Sequence, residues 1–522
     1  MTAIYSARWI LPIISAAIED GAVAIEDSTI AGVGPRAEII SRFPGARISD
    51  FGEAAILPGL VNAHSHLELT VMRGFLEREE GDFFAWLRKL TVARGAMTPA
   101  EVCASAMWGA VEAARAGITS FADSSSSAIE VIKAVRQIGL RATVYQESFG
   151  PDPKLAPENV ARLRDQLGEL RALETGLVRA GVSPHAPYTV SAPQMELISR
   201  LALDEKLPLM MHAAESDAEQ SFLLDGSGVF AEGLRQRGID WQAPGLSTIQ
   251  YLKRHGILET QPLLAHCINV DDADLETIKE SRAGIAHCPK SNAKLGHGRA
   301  PFAKYIANMV NVGLGSDSVA SNNTCDLLEE ARFATLLARA LSEPPAVAGG
   351  PVGDPFRGGL LPANDQPFRG GLLPANDHPF RGGLLPANDR LFRGGTCPAI
   401  TADQALFSAT LGGARAMSVP PASTGGSDAL SEPPAVAGGF GALAEGMQAD
   451  IIAVSLAGAH QHPVRNPADA LVFSSSGHDV LLTMVAGKEI YREGRILTVD
   501  EAELRTLVEK VRAGLDLAAR IS

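Results

Sequence analysis

Eight side chains able to bind a metal or move a proton recur at one kind of position, the end of a short apolar run. His64 and His66 close PGLVNAHSH, His185 follows VRAGVSP, and His212 closes LPLMMH with Glu215 three residues on. His266 closes PLLAH, His287 closes AGIAH, and Asp317 ends VGLGSD. The chain has 12 histidines, so six at strand ends is a concentration that scattered packing histidines do not explain. Two residues apart on a strand, His64 and His66 project to the same side. That is the geometry for two ligands to one ion. His212 offers a third nitrogen and Asp317 a carboxylate oxygen. Imidazole plus carboxylate suits Zn²⁺ or Fe²⁺ better than Mg²⁺ or Ca²⁺. Such an ion lowers the pKa of a bound water from 15.7 towards about 7 and supports hydrolysis. Taken singly, each feature has a plainer reading: an H-x-H facing a polar cavity, a helix-start carboxylate at Glu215, a turn or cap at Asp317, a packed histidine at His287. Their order, one after another at successive strand ends, favours the site.

The elements that must position these residues follow from periodicity. Apolar runs at 56–66, 117–123, 140–146, 178–185, 207–212, 262–267, 283–288 and 312–317 alternate with amphipathic stretches. That alternation predicts eight parallel strands with helices between them. Thr98-Pro99-Ala100-Glu101 has the spacing of a capping box with proline at the first helical position, and Ser191 with Gln194 repeats it. The predicted fold class is α/β: a (β/α)₈ TIM barrel whose strand ends converge on one face. The runs WILPIIS, GAVAIED and STIAGVG near the start, with ADIIAVSL and VLLTMVAGKEIYREGRIL near the end, predict a small β-sandwich domain built from both termini. The domain reading is 1–56 for its first part, 57–341 for the hydrolase barrel, 397–420 for the end of the barrel, and 441–522 for the rest of the β domain with a tail helix.

Two segments fall outside that pattern. PFRGGLLPAND occurs at 355–365, 367–377 and 379–389, followed by a partial copy. SEPPAVAGG occurs at 342–350 and again at 431–439. Residues 342–396 and 421–440 therefore read as inserted, surface-exposed loops with too little apolar area to order themselves. A Pro-rich partner-binding element is the functional alternative.

Composition excludes several classes. With 46% hydrophobic and 20% charged residues, the 522-residue chain has the balance of a globular protein with a large core. A net charge of −14 argues against binding a phosphate backbone, though not against a single nucleoside. Five cysteines without a CxxC pair suggest neither a disulfide framework nor a cysteine zinc site, and fit the reducing cytoplasm. No apolar run reaches 18 residues, so no membrane span is expected, and the N-terminus reads as strands rather than a signal peptide. The partner expected is a small-molecule substrate, with no nucleic acid and no membrane; a homo-oligomer is compatible with the sequence.

PGLVNAHSH (58–66), SPHAPYTVS (183–191), HAAES (212–216), LLAHC (263–267), HCPKSNAKLGHG (287–298) and GLGSDSVASNN (313–323) each resemble signature segments of the amidohydrolase superfamily. So do TADQALFSATLGGARAM and GMQADIIAV. The resemblance spans nearly the whole chain outside the inserts. It is closest to the branch of S-adenosylhomocysteine/methylthioadenosine deaminase, aminodeoxyfutalosine deaminase, guanine and cytosine deaminases and triazine chlorohydrolases. It implies one divalent ion per subunit, zinc or iron, on His64, His66, His212 and Asp317. It implies Glu215 as proton shuttle, also touching substrate, His266 as the group orienting water, and His185 as a substrate contact. That branch lacks the bridging carboxylated lysine of two-metal members, and strand four here ends in His185. In the adenosine-analogue deaminases an acidic residue after strand one holds the ribose hydroxyls. The matching position lies near Arg94, which would suit a carboxylate-bearing substrate such as aminodeoxyfutalosine.

The resulting expectation is a hydrolytic deaminase of an aminopurine nucleoside, with catalytic Glu215, His266 and Asp317. Two alternatives stay open. A hydrolase of another C–N or C–Cl bond, in a triazine, guanidine or cyclic amide, would use the same site and release no ammonia from nucleosides. A non-catalytic barrel scaffold would usually have lost ligands, and here all four are present.

Overall fold

In the computed structural model, which describes residues 2–340, 399–417 and 439–521, the two ends of the chain meet in one sheet. The N-terminal end supplies β1 (Thr2–Ile10), β2 (Ile18–Glu26), β3 (Thr29–Pro35), β4 (Arg47–Asp50) and β5 (Ala54–Pro58). Eight strands follow in the middle of the chain: β6 (Leu60–Ser65), β7 (Ile118–Ser125), β8 (Arg141–Ser148), β9 (Val178–Pro184), β10 (Met210–Ala213), β11 (Leu263–His266), β12 (Gly284–His287) and β13 (Val312–Leu314). The C-terminal end adds β14 (Ile451–Ser455), β15 (Val480–Val485), β16 (Lys488–Arg492) and β17 (Arg495–Ile496). The terminal sheet runs β17-β16-β15-β14-β5-β1-β2-β3, with β4 also on β1. Tyr5, Ile10, Val23, Ile25, Ile56, Ile451, Leu482 and Met484 form a shared core.

Two boundaries differ from the sequence expectation, each for a local reason. The run WILPIIS does not continue as a strand beyond Ile10, because Pro12 has no N–H to pair and Ile13 adopts φ 73°. The run 56–66 is two strands in two sheets. β5 pairs antiparallel with β14, and β6 pairs parallel with β7. Gly59 joins them, where a Cβ would collide with the Thr119 side chain.

The middle strands form parallel ladders β6-β7-β8-β9 and β10-β11-β12-β13. Parallel bridges at Val182–Leu209 and Ser65–Asp317 join the ladders on both sides, so the eight strands complete a ring. Val61, Ala63, Ala122, Tyr145, Met210, Leu263 and Ala286 pack together with Ala414, Ala416 and Met417, the small side chains suiting a narrow barrel. The Thr98/Glu101 capping box opens the helix Pro99–Arg115 as expected. Ser191 caps its helix without a side-chain bond. Gln194 is diverted instead: its amide donates to Ser148 Oγ (3.0 Å) and the Phe149 carbonyl (3.2 Å), tying down the end of β8.

Barrel and terminal sheet are locked by Arg141, whose Nε lies 2.8 Å from Asp450 Oδ2. The C-terminal helix Glu501–Ile521 lies on Pro99–Arg115, with Arg115 paired to Glu501 at 2.8 Å. Nearly all of both insert segments, 342–396 and 421–440, lies outside the described residues. No described helix is long and apolar enough to cross a membrane.

Candidate metal centre

Three of the strand-end backbones are bent into conformations that side-chain-bearing residues avoid. Ala214 has φ 52°, His266 has φ 73° and Asp317 has φ 56°. Each costs about 1–3 kcal/mol and persists only when its surroundings over-determine it. At Asp317 the N–H donates to the His64 carbonyl at 2.9 Å, the bond that also closes the barrel between β13 and β6. Gly315 permits that approach, since a Cβ there would press to 2.9 Å on the His64 Cβ.

The four expected ligands come together. The ring nitrogens of His64, His66 and His212 lie within 4.8 Å of one another. His66 Nε2 is 3.3 Å from His212 Nε2. Asp317 Oδ1 lies 3.4 Å from His64 Nε2 and 3.5 Å from His66 Nε2. The other oxygen of Asp317 is occupied: Ser291 Oγ donates to Oδ2 at 2.6 Å and Ser321 Oγ at 2.8 Å. That leaves Oδ1 turned to the imidazoles. The His212 ring is fixed by its Nδ1–H donating to the His185 carbonyl at 2.9 Å, which leaves Nε2 free to face the other imidazoles.

This donor set fits a divalent cation. Both ring nitrogens of His64 are buried without a hydrogen-bond partner. Burial pushes His64 down to about 4, with His66 and His266 adding to the effect against Asp317, so its ring is neutral at pH 7. Burial likewise takes His212 well below the usual histidine range. Neutral imidazoles are what a metal requires. Burial also opposes the charge on Asp317, but His64, His66 and His266 outweigh it and hold the carboxyl well below the usual range. Around His66, burial is outweighed by Glu147, Asp317, Asp123 and Glu68, which together favour positive charge there.

Beside the nitrogen cluster stands Glu215, its Oε1 3.6 Å from His266 Nε2 and 3.7 Å from His297 Nε2. His266 is oriented by Asn292, whose Oδ1 accepts from Nδ1 at 2.9 Å. His185 stands over His212 with ring centroids 4.6 Å apart, its Nδ1 2.9 Å from Thr189 Oγ1. His287 goes elsewhere: it stacks on Phe302 at 5.0 Å, and burial lowers it to about 3.

Arg94 reaches the edge of the site but is committed to carboxylates. Its Nη1 lies 3.3 Å from Glu68 Oε1 and 3.5 Å from Glu147 Oε2. Both partners are buried and acidic, so the cation at the position expected to touch substrate is accompanied by two carboxylates. Glu147, Asp123, Asn292, Ser291, Ser321 and His297 were not picked out from sequence. Four of them stand in HCPKSNAKLGHG and GLGSDSVASNN, where polar residues just past strand ends β12 and β13 were the available signal. Asp123 stands two residues before the end of β7: it accepts from Ser65 Oγ (2.7 Å) and the Leu67 N–H (2.8 Å), bracing the backbone on either side of His66.

The sequence profile of the amidohydrolase family matches residues 55–353. A bacterial imidazolonepropionase-like composite domain matches residues 21–46. The chain is 29% identical over 502 residues to a 5-methylthioadenosine/S-adenosylhomocysteine deaminase of Nitratidesulfovibrio vulgaris (strain DSM 19637 / Miyazaki F), covering 95% of this chain and 93% of that protein. Its structure is similar to an adenosine deaminase from Xanthomonas campestris with bound zinc, at a TM-score of 0.75 and 25% identity, over 99% of this chain and 98% of that one. Atrazine chlorohydrolase from Arthrobacter aurescens TC1, complexed with zinc, shares the fold at a TM-score of 0.73 and 19% identity, over 98% of this chain and all of that one (100%).

Proposed function

This chain belongs to the amidohydrolase family, and on that premise we propose that it is a zinc-dependent deaminase of an aminopurine nucleoside, of the 5′-substituted adenosine or aminodeoxyfutalosine type. The observation that carries this reading is the Glu215 carboxylate. It stands between the imidazoles of His266 and His297, beside the four-ligand cluster.

His64, His66, His212 and Asp317 hold the ion, which when bound supplies a water of lowered pKa. The remaining work falls to side chains. Asp317 and His266 take the proton that water loses as its oxygen adds to the ring carbon bearing the amino group. Glu215 gives a proton to the adjacent ring nitrogen, which removes aromatic character at that carbon. Left ionised by that transfer, Glu215 takes the proton of the added hydroxyl and passes it to the departing amine, so that ammonia leaves as the ring carbon becomes a carbonyl; the proton held by Asp317 and His266 then restores Glu215. His185, neutral because burial and the neighbouring cations hold it well below the usual range, faces the purine as a hydrogen-bonding contact. Free thiols at Cys103, Cys267, Cys288 and Cys325 suit a reducing cytoplasm.

The test is ammonia release from methylthioadenosine, S-adenosylhomocysteine, aminodeoxyfutalosine, adenosine and guanine, with metal analysis on the same batch. Ammonia from at least one adenosine-type compound, with one zinc per chain, is the expected result. Zinc without ammonia, and chloride or another amine released from triazines, would move the chemistry to the other C–N or C–Cl reading.

A further inference from the structure

Glu147, at the end of β8, is a carboxylate with nothing to accept from. Its side chain is 1% exposed, and both oxygens are buried without a hydrogen-bond partner. A buried carboxylate left that way is destabilising, so such a group is retained where something else completes it. Its two ionic neighbours do not. Arg94 Nη1 at 3.5 Å is shared with Glu68, and His66 Nδ1 at 3.9 Å is beyond hydrogen-bond reach. Glu68, by contrast, is satisfied by Ser125 Oγ and by the Ser127 N–H at 3.2 Å. A Glu147 oxygen also lies within 4.8 Å of ring nitrogens of His185 and His212. The open acceptors therefore face the cluster where the purine is placed.

From this we infer that Glu147 is a specificity-determining residue: its carboxylate accepts hydrogen bonds from the vicinal hydroxyl pair of the nucleoside sugar. An ionised carboxylate has only acceptor oxygens, side by side, and two neighbouring hydroxyls on one ring match them. Among the donors a nucleoside carries beyond the purine, those hydroxyls are the adjacent pair on one ring. Arg94 is then a positioning residue. It holds Glu147 against Glu68 and does not receive an anionic substituent of the substrate. The inference rests on the nucleoside reading above and names the part of the substrate that reading leaves open.

The experiment compares an adenosine-type substrate with its 2′,3′-dideoxy counterpart, in wild type and in Glu147→Gln, with zinc content measured for both proteins. Binding of the corresponding inosine-type products is measured in parallel and needs no turnover. Wild type is expected to prefer the diol by 10²-fold or more in kcat/KM, since a site built around substrate hydroxyls rejects analogues lacking them by about 10⁴-fold. Glu147→Gln is expected to keep its zinc, to raise KM for the diol substrate by about 10-fold or more with a smaller change in kcat, and to shrink the preference to a few-fold in both turnover and product binding. An undiminished preference in the variant overturns the inference while leaving the deaminase reading intact. So does loss of zinc from the variant, which would make Glu147 a support for His66. If wild type deaminates no nucleoside, the nucleoside reading fails and takes the inference with it.

Discussion

Glu219 accepts the backbone N–H of Glu215 at 3.0 Å, and through its other oxygen the N–H of Ala214 at 2.8 Å. Thr248 Oγ1 donates to the same Oε1 at 2.8 Å, and the carboxylate is fully buried. One side chain thus fixes the left-handed Ala214 and the backbone of Glu215, the proposed proton-transfer residue. Glu219→Ala leaves two buried N–H groups unpaired, at about 1–3 kcal/mol each. The variant is expected to melt earlier, and to lose about 10- to 100-fold in kcat with zinc content unchanged. An unaltered kcat in a folded, zinc-loaded variant would show that Glu215 does not depend on this support.

Glu215→Gln keeps the shape of the side chain and removes its proton. Its Oε1 neighbours, His266 and His297, lie outside the proposed ligand set, so metal content is expected to stay at one equivalent. Turnover is expected to fall by about 10²–10⁴-fold, the contribution of a positioned general acid–base. Near-normal kcat in the loaded variant removes Glu215 from the reaction.

The cluster of the proposed ligands was legible in the sequence because metal chemistry restricts residue type severely and strand ends in a parallel barrel restrict place. His64, His66, His212 and Asp317 carried both signals. Glu147 carried only the second, and a glutamate after a run such as RATVYQ looks like any solvated loop carboxylate. It is buried, and its ionic neighbour Arg94, shared with Glu68, reaches it from elsewhere in the chain. The eight strands were legible from alternation, but alternation does not mark the break at Gly59. The Thr119 side chain, some sixty residues away, leaves room only for glycine at that junction, and the Pro58-Gly59 dipeptide was the local signal for it. Gln194 misled for a related reason: the capping-box spacing was present, but Ser148 and Phe149 offered its amide better partners.

Ser291 and Ser321 both donate to Asp317 Oδ2 and so fix which oxygen faces the histidines. Groups that orient a metal ligand typically contribute about 10–100-fold to metal affinity. The double substitution Ser291→Ala/Ser321→Ala is expected to weaken zinc binding by that factor in competition with a chromogenic chelator. Activity should return at saturating zinc. Unchanged affinity would mean the carboxylate is held by the barrel backbone alone.

Removing the ion from wild type with a chelator is expected to abolish ammonia release and lower the melting temperature. A ligand at 100 times its Kd adds about 2.7 kcal/mol to stability, and that increment is what chelation takes away. Reloading with zinc or ferrous iron, followed by kcat for each, decides between the two metals. Full activity surviving complete chelation would leave the histidine cluster without a catalytic role.

Glu330 lies outside the ligand set, and its buried carboxyl supplies a stability profile that can be read separately. Burial pushes it up to about 8 from its ordinary 4.5, against the pull of Lys290 and of Asn322, whose Nδ2 donates to it at 2.6 Å. A carboxyl whose folded value is raised holds its proton more tightly in the folded state than in the unfolded one. Its stabilising contribution is therefore complete below about pH 4.5 and is lost as pH rises through about 8. Each unit of difference is worth about 1.4 kcal/mol. Denaturant midpoints of wild type are expected to fall across this window relative to Glu330→Gln, which stays neutral throughout. Subtracting one profile from the other removes the titration of every other group. Parallel profiles between pH 5 and 8 would show that Glu330 is ionised in the folded protein across that range, with Lys290 and Asn322 able to hold its charge.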